Sequence, residues 1–378
     1  PYFIAFLYAA FHSLTAVKVS QAIWGALLVP AAGRVGAWAF SPRVGLLAGA
    51  VVACYPELVW FSAHYWSETL FLTFLWLAFE RLMAADAEGG NAMAALAGFL
   101  WGLATLTRET IFYFTPVAAL FLWVGGRPGR RTRAVAFFLC AFLTLAPWTV
   151  RNWLVFHAFI PVATAGGLNL WQGNALLGRE EVYARYEQIQ GRVEQYHHAL
   201  HKGIEAIRDR QPYWFFEKLR EEMPNFWEAD SQALVHVKRG AYGAPRPLVA
   251  WFTALLVVGP YLVVLVFFVL GLAAWRPDRR SLLPVAFLAY YNLLHVVSHG
   301  YARYRLPAMP AVFFLAASGF WALREGRPWS WRRKVVGLVA GAALLLSLVP
   351  SLRLNLEDPA FGLVPPGTSP PQEAPPLP

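Results

Sequence analysis

Long apolar runs separated by short polar breaks fill most of the chain, and one break is far longer than the others. A membrane-spanning helix needs about 20 apolar residues, within a range of about 17–25. Runs that meet this cover 16–39, 44–63, 134–150, 249–275, 281–299, 306–323 and 335–353. Three more runs, 69–84, 92–107 and 111–125, are apolar but short. At a rise of about 1.5 Å per residue they reach less than a hydrocarbon core of about 30 Å. The opening PYFIAFLYAAFHSL reads as an interfacial helix over 1–14. The pattern predicts an all-α polytopic membrane protein of about ten transmembrane helices, with an N-terminal interfacial helix and a helical extracytoplasmic insert.

The long break divides the chain into a membrane region over 1–150, the insert over 151–248 and a second membrane region of four spans over 249–353. The exit runs from Pro147 to Asn174, PWTVRNWLVFHAFIPVATAGGLNLWQGN. In the insert, Val182, Tyr186, Ile189, Val193, Tyr196, Leu200, Ile204 and Ile207 fall at helical spacing, which predicts a helix over 180–210. Pro212 stops it, and a second amphipathic helix follows over 213–228. Gly166, Gly167, Gly173 and Gly178 are expected in turns ahead of these helices. The segment 354–378, Pro-rich from Pro365 onward, is expected to be disordered.

Charge distribution orients this pattern. With ten spans, one set of breaks holds the arginines between 34 and 43, Arg81, RPGRRTR, RPDRR and REGRPWSWRRK. The other holds HYWSE, TRET, the insert and HGYARYR. The first set is basic and is assigned to the cytoplasm. Merging 92–125 into one span would move RPGRRTR to the wrong side, so that stretch reads as a hairpin. Composition agrees with a membrane protein: 58% of residues are hydrophobic and 14% charged, against about 25% charged in soluble domains. The insert has 12 Lys and Arg against 11 Asp and Glu. The formal charge of +10 therefore belongs to the cytoplasmic breaks, which excludes nucleic acid as the partner and leaves membrane lipids. Cys54 and Cys140 lie in apolar runs and read as small buried hydrophobes.

Candidate chemistry follows from charged and amide groups at the outward ends of spans. Glu68 starts a span, with His64 one helical turn earlier. Arg108 and Glu109 form the tip of the 92–125 hairpin, and Arg151 and Asn152 follow Pro147 and Trp148 where the span exits. Arg303 and Arg305 flank Tyr304 just before a span, and paired outward arginines suit bidentate contact with a phosphate. Each group also has a structural reading: a helix-starting acid, a local ion pair, a snorkelling arginine. Together they suit a carboxylate that takes a proton from an acceptor hydroxyl while cations hold a phosphate leaving group.

The blocks YPELVWFSAHYWSETLF, GLATLTRET, APWTVRNWLVF, GGLNLWQGN and RYRLPAMPAV, in that order, cover residues 1–325 loosely. In this order the chain resembles the bacterial membrane glycosyltransferases of the GT-C superfamily. The likeness is to the family 39-like branch related to dolichyl-phosphate-mannose–protein mannosyltransferases and to the aminoarabinose transferase of lipid A. The resemblance implies a polyprenyl-phosphate sugar donor, inverting transfer to a glycan, lipid or protein acceptor, and a bacterial inner membrane location with an extracytoplasmic active face. It places the main catalytic Asp in a first outward loop ahead of Pro1, so the chain alone is expected to lack that base and to be inactive without it. Glu68 matches the family's second acidic position, where Asp is commoner, and is the one candidate ligand if a divalent metal takes part. Arg303 matches the phosphate-contacting arginine. His64, Arg108, Arg151, Asn152, Asn174, Tyr304 and Arg305 are carried as substrate-binding candidates. Competing readings are a ligase or oligosaccharyltransferase-like enzyme with a lipid-diphosphate donor, a transporter or flippase turning on Glu57, and a membrane scaffold.

Overall fold

The computed structural model describes residues 2–326 and 330–361. Among them the secondary structure is helical, with no strand beyond one isolated bridge between Ala241 and Gly243. The helices are α1 Tyr2–Phe11, α2 Leu14–Ala39, α3 Pro42–Cys54, α4 Pro56–Ser62, α5 Glu68–Ala87, α6 Asn91–Thr107, α7 Thr115–Trp123 and α8 Arg130–Phe156. The insert adds α9 Ala165–Asn174, α10 Arg179–Glu187, α11 Arg192–Asp209, α12 Trp214–Trp227 and α13 Gln232–Lys238. The chain closes with α14 Pro247–Ala274, α15 Arg279–Val297, α16 Met309–Arg324 and α17 Trp331–Glu357. A 3₁₀ turn over Glu109–Phe114 leads into α7, and another over Ala302–Ala308 leads into α16.

Six described segments are long and apolar enough to cross a membrane: α2, α8, α14, α15, Ala302–Arg324 and α17. The bent pair α3–α4 would be a seventh. The stretch 44–63, expected as a span, is built from two helices meeting at 55°. Proline disfavours helical geometry in the residue before it, and Tyr55 ahead of Pro56 has ψ 115°. The outward faces of the long helices carry exposed Leu143, Leu255, Val266, Leu338 and Leu346. In water that surface would cost about 25 cal/mol per Å², whereas lipid tails are as apolar as leucine. Cys54 is exposed and Cys140 half-buried, which corrects their assignment to the interior; both are free thiols.

Close helix approach supplies the association that burial cannot drive between helices in lipid. Between α14 and α16, a Cβ on Gly271 would strike the Leu315 carbonyl and one on Gly319 the Phe267 carbonyl. Buried aromatics fill the remaining volume, with Trp76, Phe79, Trp101, Phe114 and Phe287 in mutual contact.

The bundle has two chemically different ends. At the arginine end, buried Asp86 holds Arg279 and Arg280, Arg34 meets Glu80 at 3.4 Å, and Arg43 meets Glu325 at 3.3 Å. The hairpin 92–125 turns at Arg108: α6 ends there, and α7 runs back until the Phe121 carbonyl accepts from Arg279 at 3.0 Å. At the other end sits the insert. α8 passes through Pro147 and continues to Phe156, so the helix ends where His157 turns left-handed at φ 51°, not at Pro147. α17 likewise continues past Arg353 to Glu357, and Ala360 and Phe361 are buried. That shortens the expected disordered segment; the Pro-rich stretch 362–378 lies outside the described residues.

Two further expectations about the insert change. The helix over 180–210 is two helices, α10 and α11, separated at Gly191 with φ 88°. Gly166, Gly167 and Gly173 lie within helix α9 and not in turns. Their smallness serves contact: a Cβ on Gly173 would enter the Ser298 carbonyl at the end of α15. Gly173→Ala is expected to cost about 1–3 kcal/mol by overpacking, readable as a lower unfolding midpoint of the purified protein.

Candidate functional site

The site forms where α5, α6, α15 and the 302–308 turn end beneath the insert. Ser67 precedes the first residue of α5, and Glu68 lies at the positive end of that helix, 3% exposed. Its carboxylate is bound by the Arg108 guanidinium from the end of α6, and Arg108 Nε lies 3.4 Å from Ser67 Oγ. The hairpin tip is held by α15: Tyr290 donates its hydroxyl to the Thr110 carbonyl, and Tyr291 Oη lies 3.4 Å from Thr110 Oγ1. Sequence reasoning thus finds Glu68 and Arg108 separately, and the structure makes them one buried ion pair.

Arg303 is linked to this pair through Trp66, two residues before Glu68, and through Tyr304, which acts on the Arg108 charge. Its guanidinium lies 5.3 Å from the Trp66 ring and 5.1 Å from the Tyr304 ring, with Nη2 3.4 Å from Tyr304 Oη. No carboxylate pairs with it among the described residues. Tyr304 is fixed by stacking on His295 at 4.9 Å and 13°.

Arg305 has a different place. It is 1% exposed and donates to the carbonyls of Phe226 at 3.3 Å, Glu228 at 2.7 Å and Asp230 at 2.8 Å. Its guanidinium also lies 4.0 Å from the Tyr261 ring. The expectation that it binds substrate is corrected: Nη1 and Nη2 are spent on insert backbone, which they clamp to the bundle, and Nε is buried without a partner, out of reach of a ligand.

Four other candidates also lie apart from the Glu68 pair. Arg151 lies exposed on α8, over the rings of Trp148 and Phe156. Asn152 is buried and donates to the carbonyls of Ile160 at 3.0 Å and Val162 at 3.2 Å, which ties down the loop after α8. Asn174 donates to Leu170 and Val297 carbonyls and accepts from Trp214 Nε1 at 2.8 Å, which joins α9 to α15 and α12. His64 is stacked on Trp60 at 3.7 Å, with Nδ1 2.7 Å from the Trp60 carbonyl and Nε2 3.3 Å from Tyr242 Oη. With both nitrogens engaged it does not join Glu68 as a metal pair. No group of three His, Cys, Asp or Glu suited to a metal occurs among the described residues, and a cation on Glu68 would have to displace Arg108. Glu57 is buried and accepts from the Gln232 amide at 3.2 Å, so it faces the insert.

An apolar slot of about 310 Å³ leads to Glu68. α2 supplies Ala22, Gly25 and Ala26, the bent pair supplies Val52, Leu58 and Phe61, and Leu306 lies on the same 3₁₀ turn as Arg303. Ala22, Ala26, Ala53 and Val59 are exposed, so the slot opens on the flank of the bundle. The Pro56 bend separates α3 from α4, both of which line it.

Sequence reasoning gave Glu109 little weight. Glu57, Glu68, Glu222 and Glu228 all accept a hydrogen bond. Glu109 accepts none among the described residues, and its carboxylate lies under the first turn of α9, where a Cβ on Gly166 would sit 3.4 Å from Oε1. Burial pushes this carboxyl up to about 7. The only signal in the sequence was an acid at a hairpin tip beside an arginine. Comparison of the chain with protein-family models, curated proteins and solved structures finds no match.

Proposed function

We propose that the protein transfers a sugar from a polyprenyl-phosphate donor to an acceptor hydroxyl, with inversion. In this reading the arginine end faces the cytoplasm and the insert faces outward. The chain then makes ten passes: α2, α3–α4, α5, α6, the segment ending in α7, α8, α14, α15, α16 and α17.

The observation that carries the reading is the flank-opening apolar slot ending at a carboxylate–guanidinium pair, with unpaired Arg303 linked to it through Trp66 and Tyr304. An isoprenoid chain matches the slot, which small residues leave open along α2. Its phosphate would meet Arg303 and the free face of Arg108, held in place by Glu68. The acceptor oxygen bonds to the anomeric carbon as the bond from that carbon to the phosphate oxygen breaks. The electron pair leaves with the phosphate, and the acceptor proton passes to Glu109, a half-buried carboxylate that accepts no hydrogen bond among the described residues, in the role first expected of an Asp ahead of Pro1.

Binding of undecaprenyl phosphate to the purified protein tests the reading, with the diphosphate as competitor. Arg303→Ala is expected to weaken binding about tenfold or more. Ala26→Trp, on an exposed slot wall, is expected to block it without loss of fold. Absence of binding by the unaltered protein, or preference for the diphosphate, would overturn the proposal.

A further inference from the structure

The segment between α15 and α16 also seats a second cation, from α10, apart from the proposed donor site. Tyr301 and Tyr304 lie 5.5 Å apart by ring centroid. Arg303 stands over Tyr304, whereas Arg179, the first residue of α10, stands 4.5 Å over Tyr301. The Arg179 guanidinium is partly exposed and has no carboxylate or hydrogen-bond partner among the described residues. The nearby acids are engaged elsewhere. Glu222 is held by Lys218 at 2.6 Å and accepts from the Gly300 amide at 2.7 Å, and Glu228 accepts from the Ala302 amide at 3.0 Å.

His299 lies between the two arginines, its ring 5.6 Å from Tyr301 and 5.5 Å from Tyr304. It is 7% exposed, and its Nδ1 is buried without a partner. Burial first, then the Arg179 charge, hold its pKa down at about 4, so the ring is neutral at pH 7. It contributes a hydrogen-bonding atom but no charge. The ring's one N–H is turned to the Asn169 carbonyl, which leaves Nδ1 as an acceptor. An arginine with free donors beside it suits an oxyanion on the guanidinium and a hydroxyl donating to His299.

α9 relates this place to the reacting centre. Its first turn covers Glu109, Asn169 lies at His299, and Gly173 rests on Ser298. From Gly166 to Gly173 the axis advances about 10 Å, so the Arg179 side and the Glu109 side are about one sugar unit or more apart. Arg179 also belongs to the insert, away from the slot that would hold the lipid chain.

We propose that Arg179, mounted on Tyr301 beside His299, is a second anion site that holds a carboxylate or phosphate of the acceptor, so that the acceptor is an acidic carbohydrate. This rests on the glycosyl-transfer reading above and adds the class of acceptor to it. The test is calorimetric titration of the full chain in nanodiscs with glucose 6-phosphate, glucuronate and glucose, each with and without saturating undecaprenyl phosphate. Both anions are expected to bind and glucose is not. Binding should persist beside undecaprenyl phosphate and fall about tenfold or more in Arg179→Ala, with Arg179→Lys intermediate because the charge remains. Undecaprenyl phosphate should bind Arg179→Ala as it binds the unaltered protein. Absence of anion binding, or equal binding by Arg179→Ala, overturns the site. Loss of anion binding on adding undecaprenyl phosphate also overturns it, by assigning Arg179 to the donor phosphate or the donor sugar. If undecaprenyl phosphate itself fails to bind, the transfer reading fails, whatever the anions do.

Discussion

Arg305→Ala is expected to release the insert from the bundle, while Arg303→Ala leaves the fold intact and removes donor binding. Arg305 satisfies three main-chain carbonyls across the turn between α12 and α13. Its charge also lies among Glu57, Glu228 and Asp230, with Lys238 as the other cation acting on Asp230. Burial, then the Asp230 charge, already hold Glu228 up at about 7, and Arg305 is among the groups that pull it down. Removing one partner of a buried charged network costs about 3–5 kcal/mol, a large share of a total stability of about 5–15 kcal/mol. Unfolding midpoints and protease cleavage within 165–238 would show it. Arg303 is partly exposed, makes one weak hydrogen bond and stands over the Trp66 and Tyr304 rings, so its loss should stay within about 1 kcal/mol. Comparable unfolding in both variants would sink this division of labour.

Glu109→Gln is expected to lower turnover by about 10²–10⁴-fold with donor binding retained. The sign of the pH dependence follows from burial. In the proposed transfer a general base acts as the carboxylate, so kcat/KM should rise with pH through about 7 and then level. In Glu109→Gln that limb disappears. The group facing Glu109 is Tyr113, with Tyr196 beyond it, and burial is the one cause of its shift. The raised pKa also acts on stability. Between about 4.5 and 7 the folded state binds more protons at Glu109 than the unfolded chain does. The contribution of Glu109 therefore falls as pH rises across that window. A rate profile unchanged by Glu109→Gln would remove it from the reaction.

Much of the fold was legible because apolar run length and arginine placement are one-dimensional signals. The hairpin turn at Arg108 could be placed from the side on which RPGRRTR must lie. The bend at Tyr55 was also written in the sequence, as a proline inside an apolar run, but run length alone masked it. The division of roles between Arg303 and Arg305 could not be read. On a 3₁₀ turn of about three residues, positions two apart face different directions, and only the packed insert shows which one is covered. Asn152 and Asn174 illustrate the same limit, since an amide at a helix end can serve a substrate or a neighbouring carbonyl. Glu109 was visible as an acid, but what distinguishes it is that it accepts no hydrogen bond among the described residues, which spacing does not encode.

The sideways mouth of the slot at Ala22, Ala26, Ala53 and Val59 has a kinetic consequence. A donor that enters there arrives by diffusion within a two-dimensional sheet and not from bulk water. Its effective concentration is then its mole fraction among lipids. Adding inert phospholipid at constant total donor should slow transfer, while changing the volume of the aqueous phase should leave the rate unaltered.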